Sequence, residues 1–279
     1  MTNPSLFNTV LVWPIINALI GIYKILFFIH FPYALGFSII LLTIVIRLIL
    51  YPLTTSQLKA SKKMQEINPH LSKLKEKHKD DAKTLQAETM KLYKEFGVNP
   101  AAGCLPLIVQ LPIIWGLYSV LQQIVNLGAK DVASSINKIV YFDFLKLSGS
   151  WDPTFIGIPL SQNPAGLISK IGPLILIIPL LTFLFQFIQS KMMIPQGKDQ
   201  NKDKNLSLGK AGEKKKDDFA SAFQSQSLYI FPVMIGFFSY TFPLGLSLYW
   251  NTFTIFGIIQ QYLISGWGGL KDIKFLNIK

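Results

Sequence analysis

The sequence predicts an all-α polytopic membrane protein: five transmembrane helices around a cytoplasm-facing hydrophilic groove, with an N-terminal interfacial amphipathic helix and a cytoplasmic helical hairpin. Three observations predict it. Half of the 279 residues are hydrophobic and only 15% are charged, the composition of a chain with several lipid-buried runs rather than one soluble core. Lysines crowd into alternate connecting segments, which is how membrane proteins mark their cytoplasmic side. Finally, the chain carries 27 basic residues, and Arg47 is the one arginine among them, set inside an apolar run. The net charge of +12 would suggest nucleic acid in a soluble protein. Here it marks cytoplasmic loops and anionic lipid contact, and no DNA partner is expected. Cys104 stands alone and the three histidines do not cluster, so neither a disulfide within the chain nor a metal site is expected. No nucleophile–base set or phosphate loop is visible, so the expectation is a non-enzyme without a cofactor.

Residues 1–32 are apolar but interrupted by Pro14, Asn17, Gly21 and Lys24. The last three fall on one helical face, which reads as an amphipathic helix in the membrane interface. The run is also long enough for a sixth span, and that alternative stays open. No basic n-region with a small-residue cleavage site is evident. Residues 33–54 form the first span, about twenty apolar residues, enough to cross roughly 30 Å of hydrocarbon. Residues 55–104 turn polar, with ten lysines beside six acids. Ile67, Leu71 and Leu74, then Leu85, Leu92 and Phe96, recur at helical spacing on either side of Lys79-Asp80-Asp81. This is a helical hairpin, its first arm kinked or restarted at Pro69. The second span is 105–127, followed by a connector at 128–166. The third span is 167–190, followed by a basic loop at 191–226 with eight lysines. Residues 228–264 hold the fourth and fifth spans around the Pro243-Leu244-Gly245 turn, and 265–279 is the tail.

Lysine counts orient the spans. The segments after the first and third spans and the tail hold ten, eight and three, against four in the stretch 128–170. The dense segments are therefore cytoplasmic, the connector is external and the C-terminus lies inside. Gln110, Gln186 and Gln189 then share the cytoplasmic leaflet with Arg47, while Asn251 and Thr254 sit somewhat deeper. Uncompensated amides and charges in hydrocarbon favour one another or water. A wet, positively charged cavity open to the cytoplasm accounts for the shared depth. Snorkelling of Arg47 to the headgroups is the rival account of that residue alone.

The motifs IILLTIVIRLILYPLTTSQ (39–57), FGVNPAAGCLPLIVQLPI (96–113), FIQSKMM (187–193) and LGLSLYWNTFTIFGIIQQYLI (244–264), in this order, resemble the YidC/Oxa/Alb superfamily in its short bacterial form. The resemblance implies an insertase and chaperone of the bacterial plasma membrane, working without ATP, alone or with the Sec translocon. It implies a groove centred on Arg47, with Gln189 and Trp250 lining it. Thr254 stands where an asparagine is common in the family. Expected partners are nascent membrane proteins with short polar tails and membrane lipids, with the Sec translocon and the ribosome as further candidates. A small transporter or channel using Arg47 as a solute site is the alternative function.

Overall fold

A long apolar run in hydrocarbon must satisfy its own backbone, so such runs fold as helices. The computed structural model describes residues 2–78, 81–97, 105–148, 152–193 and 218–272. In chain order the helices are α1 (Trp13–Phe28), α2 (Ala34–Ile49), α3 (Tyr51–Lys77), α4 (Ala82–Glu95) and α5 (Leu105–Ile136), then α6 (Pro164–Ile171), α7 (Ile177–Met192), α8 (Asp218–Thr241) and α9 (Leu244–Ser265). A two-stranded antiparallel hairpin, Thr154–Phe155 with Ile158–Pro159, lies in the connector. The chain divides into two compact units. The first comprises Met1–Tyr51, Cys104–Phe185 and Val233–Phe256; the second comprises Pro52–Gly103, Gln186–Pro232 and Gly257–Lys279.

In the first unit, α1, α2, α5 and the start of α9 share one core. Ile16, Leu19 and Ile20 meet Leu35 and Ile39, Leu117 and Leu121, and Tyr249, all fully or almost fully buried. Close approach is built in where α2 passes the connector: a Cβ on Gly36 would lie 2.1 Å from the Phe155 ring. Helices in lipid associate by such contacts and by interhelical hydrogen bonds, because lipid tails are as apolar as leucine.

The expected spans are met unevenly. Among the described residues two helical stretches are long and apolar enough to cross a membrane, Asn8–Phe28 with mean hydropathy 2.0 and Pro173–Met192 with 1.9. A third is reached if Ala34–Ile49 and Tyr51–Ala60 count as one bent span. Leu111–Gln122 and Leu228–Thr241 are shorter apolar helical stretches. The first span, expected unbroken over 33–54, is interrupted at Leu50. The third, expected over 167–190, is not one helix. α6 stops at Gly172, whose φ of +90° takes the backbone out of the helical region, and Pro173 opens a short 3-10 turn before α7. Proline cannot continue the incoming ladder and disfavours a helical residue before it, so the break follows from the Gly-Pro pair.

The polar stripe of α1 is not left to water. Asn17 donates through Nδ2 to the Trp13 carbonyl at 2.9 Å and the Ile139 carbonyl at 3.0 Å, and accepts from the Tyr141 N–H at 2.8 Å. One helical stage on, Lys24 donates to the carbonyls of Phe144 and Lys146. The stripe thus grips the connector backbone. At the far end of the connector, Asn163 performs two caps at once. Its Oδ1 accepts from Gly166 N–H at the start of α6, while its Nδ2 donates to the Thr241 carbonyl at the end of α8, at 3.0 Å. The first donors of α9 are met by the same segment, Leu244 N–H by Gln162 O and Gly245 N–H by Leu160 O, each at 2.8 Å. Helix ends need such partners when water is distant.

In the second unit, α3 and α4 form the hairpin. α3 runs through Pro69 without restarting. Pro69 is exposed, so solvent can serve the carbonyl that loses its donor. The rings of His70 and Phe96 meet at 5.6 Å, bringing the end of α4 back to α3, and Ile67 and Leu85 are buried. Asp81 caps α4, accepting from Thr84 N–H at 3.0 Å and from the Thr84 hydroxyl. Elsewhere in this unit Gln260 donates to Thr54 Oγ1 at 2.6 Å, and Gln261 donates to Met192 O at 3.4 Å. The 194–217 part of the basic loop lies outside the described residues.

Two predictions follow from these caps. Asn17→Leu strands the Tyr141 N–H and removes the bonds to Ile139, so unfolding in detergent should cost about 1–3 kcal/mol less, read from the denaturation midpoint. The hydroxyl and N–H of Thr84 hold the Asp81 carboxyl below the usual aspartate range. A depressed folded pKa means that the cap stabilises α4 above the ordinary aspartate pKa and is lost as pH falls through the depressed value. Amide exchange in the first turn of α4 should therefore speed up on acidification, once the intrinsic pH dependence is removed, and Asp81→Ala should abolish that change.

Candidate functional site

Arg47 lies in the last turn of α2 and is 5% exposed. The break at Leu50 matters here. It ends a helix beside the arginine, so the partial negative charge of the helix C-terminus falls where the cation sits. The guanidinium reaches across to α9. Nη2 donates to the Phe253 carbonyl at 2.7 Å, and Cζ stands 3.4 Å from the Phe253 ring centroid and 5.9 Å from that of Phe256. Tyr249 packs on Phe253 from the preceding turn, centroids 6.0 Å apart. Nε is buried with no hydrogen-bond partner. A buried cation needs compensation, and one carbonyl plus one aromatic face supplies part of it. Arg47 is thus packed against α9 and not presented to open water.

The other expected residues fall as follows. Trp250, Asn251 and Thr254 lie on the first unit's part of α9. Asn251 Oδ1 and Thr254 Oγ1 are buried acceptors without partners, and Thr254 is 1% exposed. Trp250 borders a small cavity with Thr182, Phe238, Ser239, Leu246 and Ser247. Gln186 and Gln189 are half-buried on the last turns of α7, in the second unit. Gln110 lies on α5, and its side chain is outside the described ones.

Sequence reasoning passed over a buried chain of hydroxyls. Thr182 donates to the Ile178 carbonyl at 2.9 Å and lies 3.0 Å from Ser239 Oγ, which lies 2.8 Å from Ser247 Oγ. Each hydroxyl has one proton. With that of Thr182 committed to Ile178, the chain runs from Ser247 to Ser239 to Thr182, tying α9, α8 and α7 together. The signal was present: Ser239 and Ser247 stand four residues either side of Pro243, facing positions in a tight helical hairpin. Phe253 and Phe256 were also missed, although with Tyr249 they make an aromatic stripe at helical spacing.

These features define a helical membrane protein with a buried cation held by aromatic and backbone groups. A profile of the family described as "60Kd inner membrane protein" matches residues 27–268, and the chain belongs to that family. It is 32% identical over 266 residues to "Membrane protein insertase YidC" of Oceanobacillus iheyensis, covering 94% of this chain and 84% of the relative. To "Membrane protein insertase MisCA" of Bacillus subtilis it is 34% identical over 243 residues, covering 86% and 72%. To "Inner membrane protein ALBINO3, chloroplastic" of Arabidopsis thaliana it is 32% identical over 257 residues, 87% of this chain but 49% of the relative. The crystal structure titled "Active YidC insertase crystal structure with the first transmembrane domain resolved" shares the fold, with TM-score 0.53 and 24% identity. The match takes in 93% of this chain, which spans about half of the solved one, 47%.

Ser239→Ala breaks the hydroxyl chain at its centre, leaving Thr182 its bond to the Ile178 carbonyl and Ser247 a longer one to the backbone carbonyl of residue 239 at 3.3 Å. The expected loss of stability in lipid is about 1 kcal/mol, read by reversible unfolding in bicelles.

Proposed function

We propose that this chain inserts integral membrane proteins into the bacterial plasma membrane and helps them fold, using Arg47 as the polar partner of a client's short tail. The observation that carries the reading is the placement of the one arginine inside an apolar helix of a chain belonging to a family whose relatives are named insertases. A tail crossing about 30 Å of hydrocarbon pays chiefly for its polar groups. A groove open to the cytoplasm shortens the dry path, and a guanidinium offers carboxylates or carbonyls a charge-assisted hydrogen bond midway. Trp250, Asn251, Thr254, Gln110, Gln186 and Gln189 would line that path. Once across, the client helix leaves sideways into lipid, driven by burial of apolar surface at about 25 cal/mol per Å². No bond is made or broken and no ATP is used.

In this reading five spans cross the membrane, α1 lies on the outer surface, and the α3–α4 hairpin and the C-terminus are cytoplasmic. Membrane lipids and nascent chains are the partners, with the Sec translocon and the ribosome as further candidates. The test uses two single-span reporters differing only in tail acidity, with insertase levels matched. Arg47→Ala should abolish insertion of the acidic-tailed reporter and spare the neutral one, and Arg47→Lys should keep part of the activity. If both reporters respond equally in every variant, Arg47 is an anchor and the proposal fails.

A further inference from the structure

From Pro153 to Ser169 the chain runs seventeen residues without a charge, between Asp152 and Lys170. Within this stretch the strands Thr154–Phe155 and Ile158–Pro159 pair around a two-residue loop, Ile156-Gly157. Both loop residues have positive φ, +52° and +76°. Hairpin loops of that kind favour Asn-Gly, because asparagine and glycine tolerate the left-handed region. A β-branched side chain there is an outlier. Ile156 gains no packing in return, being 66% exposed. A lone exposed isoleucine is ordinary, but one held on a strained backbone points to a use for that side chain.

The base of the hairpin is tied down. Asp152 Oδ1 accepts from the Thr154 N–H at 3.0 Å and from its hydroxyl at 2.7 Å, and Leu160 N–H donates to Pro153 O at 2.8 Å. Ile158 packs on the cluster of Leu167, Ile175 and Leu244. Phe155 lies against the first turn of α2, its ring 5.3 Å from that of Phe37 and 6.0 Å from that of Tyr33. It fills the space that a Cβ on Gly36 would need. Ile156 is the next residue, about 4 Å of chain away. The tip therefore lies level with one end of an apolar helix whose Leu41 and Val45 are also exposed. At the end of a span, hydrocarbon gives way to headgroups.

We propose that Ile156 and Gly157 form a lipid-binding wedge, seated among the headgroups and upper acyl chains at the N-terminal end of α2. The wedge fixes the depth of that end in the bilayer. In the topology proposed above this is the outer leaflet. A protein partner is selected by complementary charge or polar side chains, and the tip offers neither. An apolar tip gains by entering the interface, where its backbone still meets headgroups and water. The inference rests on α2 crossing the membrane, and not on Arg47 as the client's partner.

The test places a nitroxide spin label on Ile156→Cys in the full chain carrying Cys104→Ser, reconstituted in vesicles of phosphatidylethanolamine and phosphatidylglycerol. Collisions with oxygen, which concentrates in lipid, are compared with collisions with a water-soluble nickel chelate. Labels on Leu41→Cys and Lys91→Cys, exposed on α2 and on the polar α4, give the lipid and water references. The oxygen-to-nickel ratio at position 156 should exceed that at position 91 by about threefold or more. A ratio close to that at position 91 puts the tip in water, and the proposal falls. Few collisions with either reagent put the tip against protein and overturn it equally. If the label at position 41 does not favour oxygen, α2 is not a span, and the reading of the spans falls with this inference. If Cys104→Ser accumulates poorly, Cys104→Ala supplies the background for the same comparison.

Discussion

A charge in an apolar helix needs a partner within reach, and the contact of Arg47 with Phe253 answers that need on the first unit's side. The guanidinium cannot be left alone in hydrocarbon, and the helix carrying it cannot end far away. The break at Leu50 ends α2 within a turn of Arg47, and the aromatic stripe of α9 covers the face of the cation. The register between α2 and α9 is held further down by packing, with Leu35 and Ile39 against the core that includes Leu246 and Tyr249. The apolar core thereby decides which turn of α9 Arg47 meets.

Much of this was legible in the residues. Composition and lysine spacing pointed to a helical membrane chain, and a sole arginine in an apolar run singled out a residue that is buried against α9. The hairpin was readable because periodicity resumes on both sides of Lys79-Asp80-Asp81. Element boundaries were less so. Hydropathy averages over a window and does not see a Gly-Pro pair, so 167–190 read as one span where the helix breaks at Gly172. At Pro69 the restart, one of the two expected outcomes, does not occur, because an exposed proline can be carried inside a helix.

The site was harder, for a physical reason. Sequence shows which residues are polar but not which polar groups already have partners. Arg47 read as facing water, yet it is covered by Phe253, an apolar residue that no search for polar clusters selects. The stripe of Asn17 and Lys24 read as a headgroup-facing surface, yet backbone carbonyls of the connector occupy it. The Thr182, Ser239 and Ser247 chain escaped notice because hydroxyls are common in apolar helices, where they bond their own backbone. Only the third dimension tells a self-satisfied hydroxyl from one that links helices.

The clasp at Asn163 carries a consequence for how the chain can change length. Between Pro153 and Asn163 the peptide groups are counted off against fixed partners: Leu160 N–H against Pro153 O, Leu160 O and Gln162 O against the opening of α9, and the Asn163 amide against two helix ends. One residue inserted between Leu160 and Asn163 would put these partners out of step with the opening of α9, and no single side-chain change would restore the register. The four residues from Leu160 to Asn163 therefore behave as a cassette of fixed length.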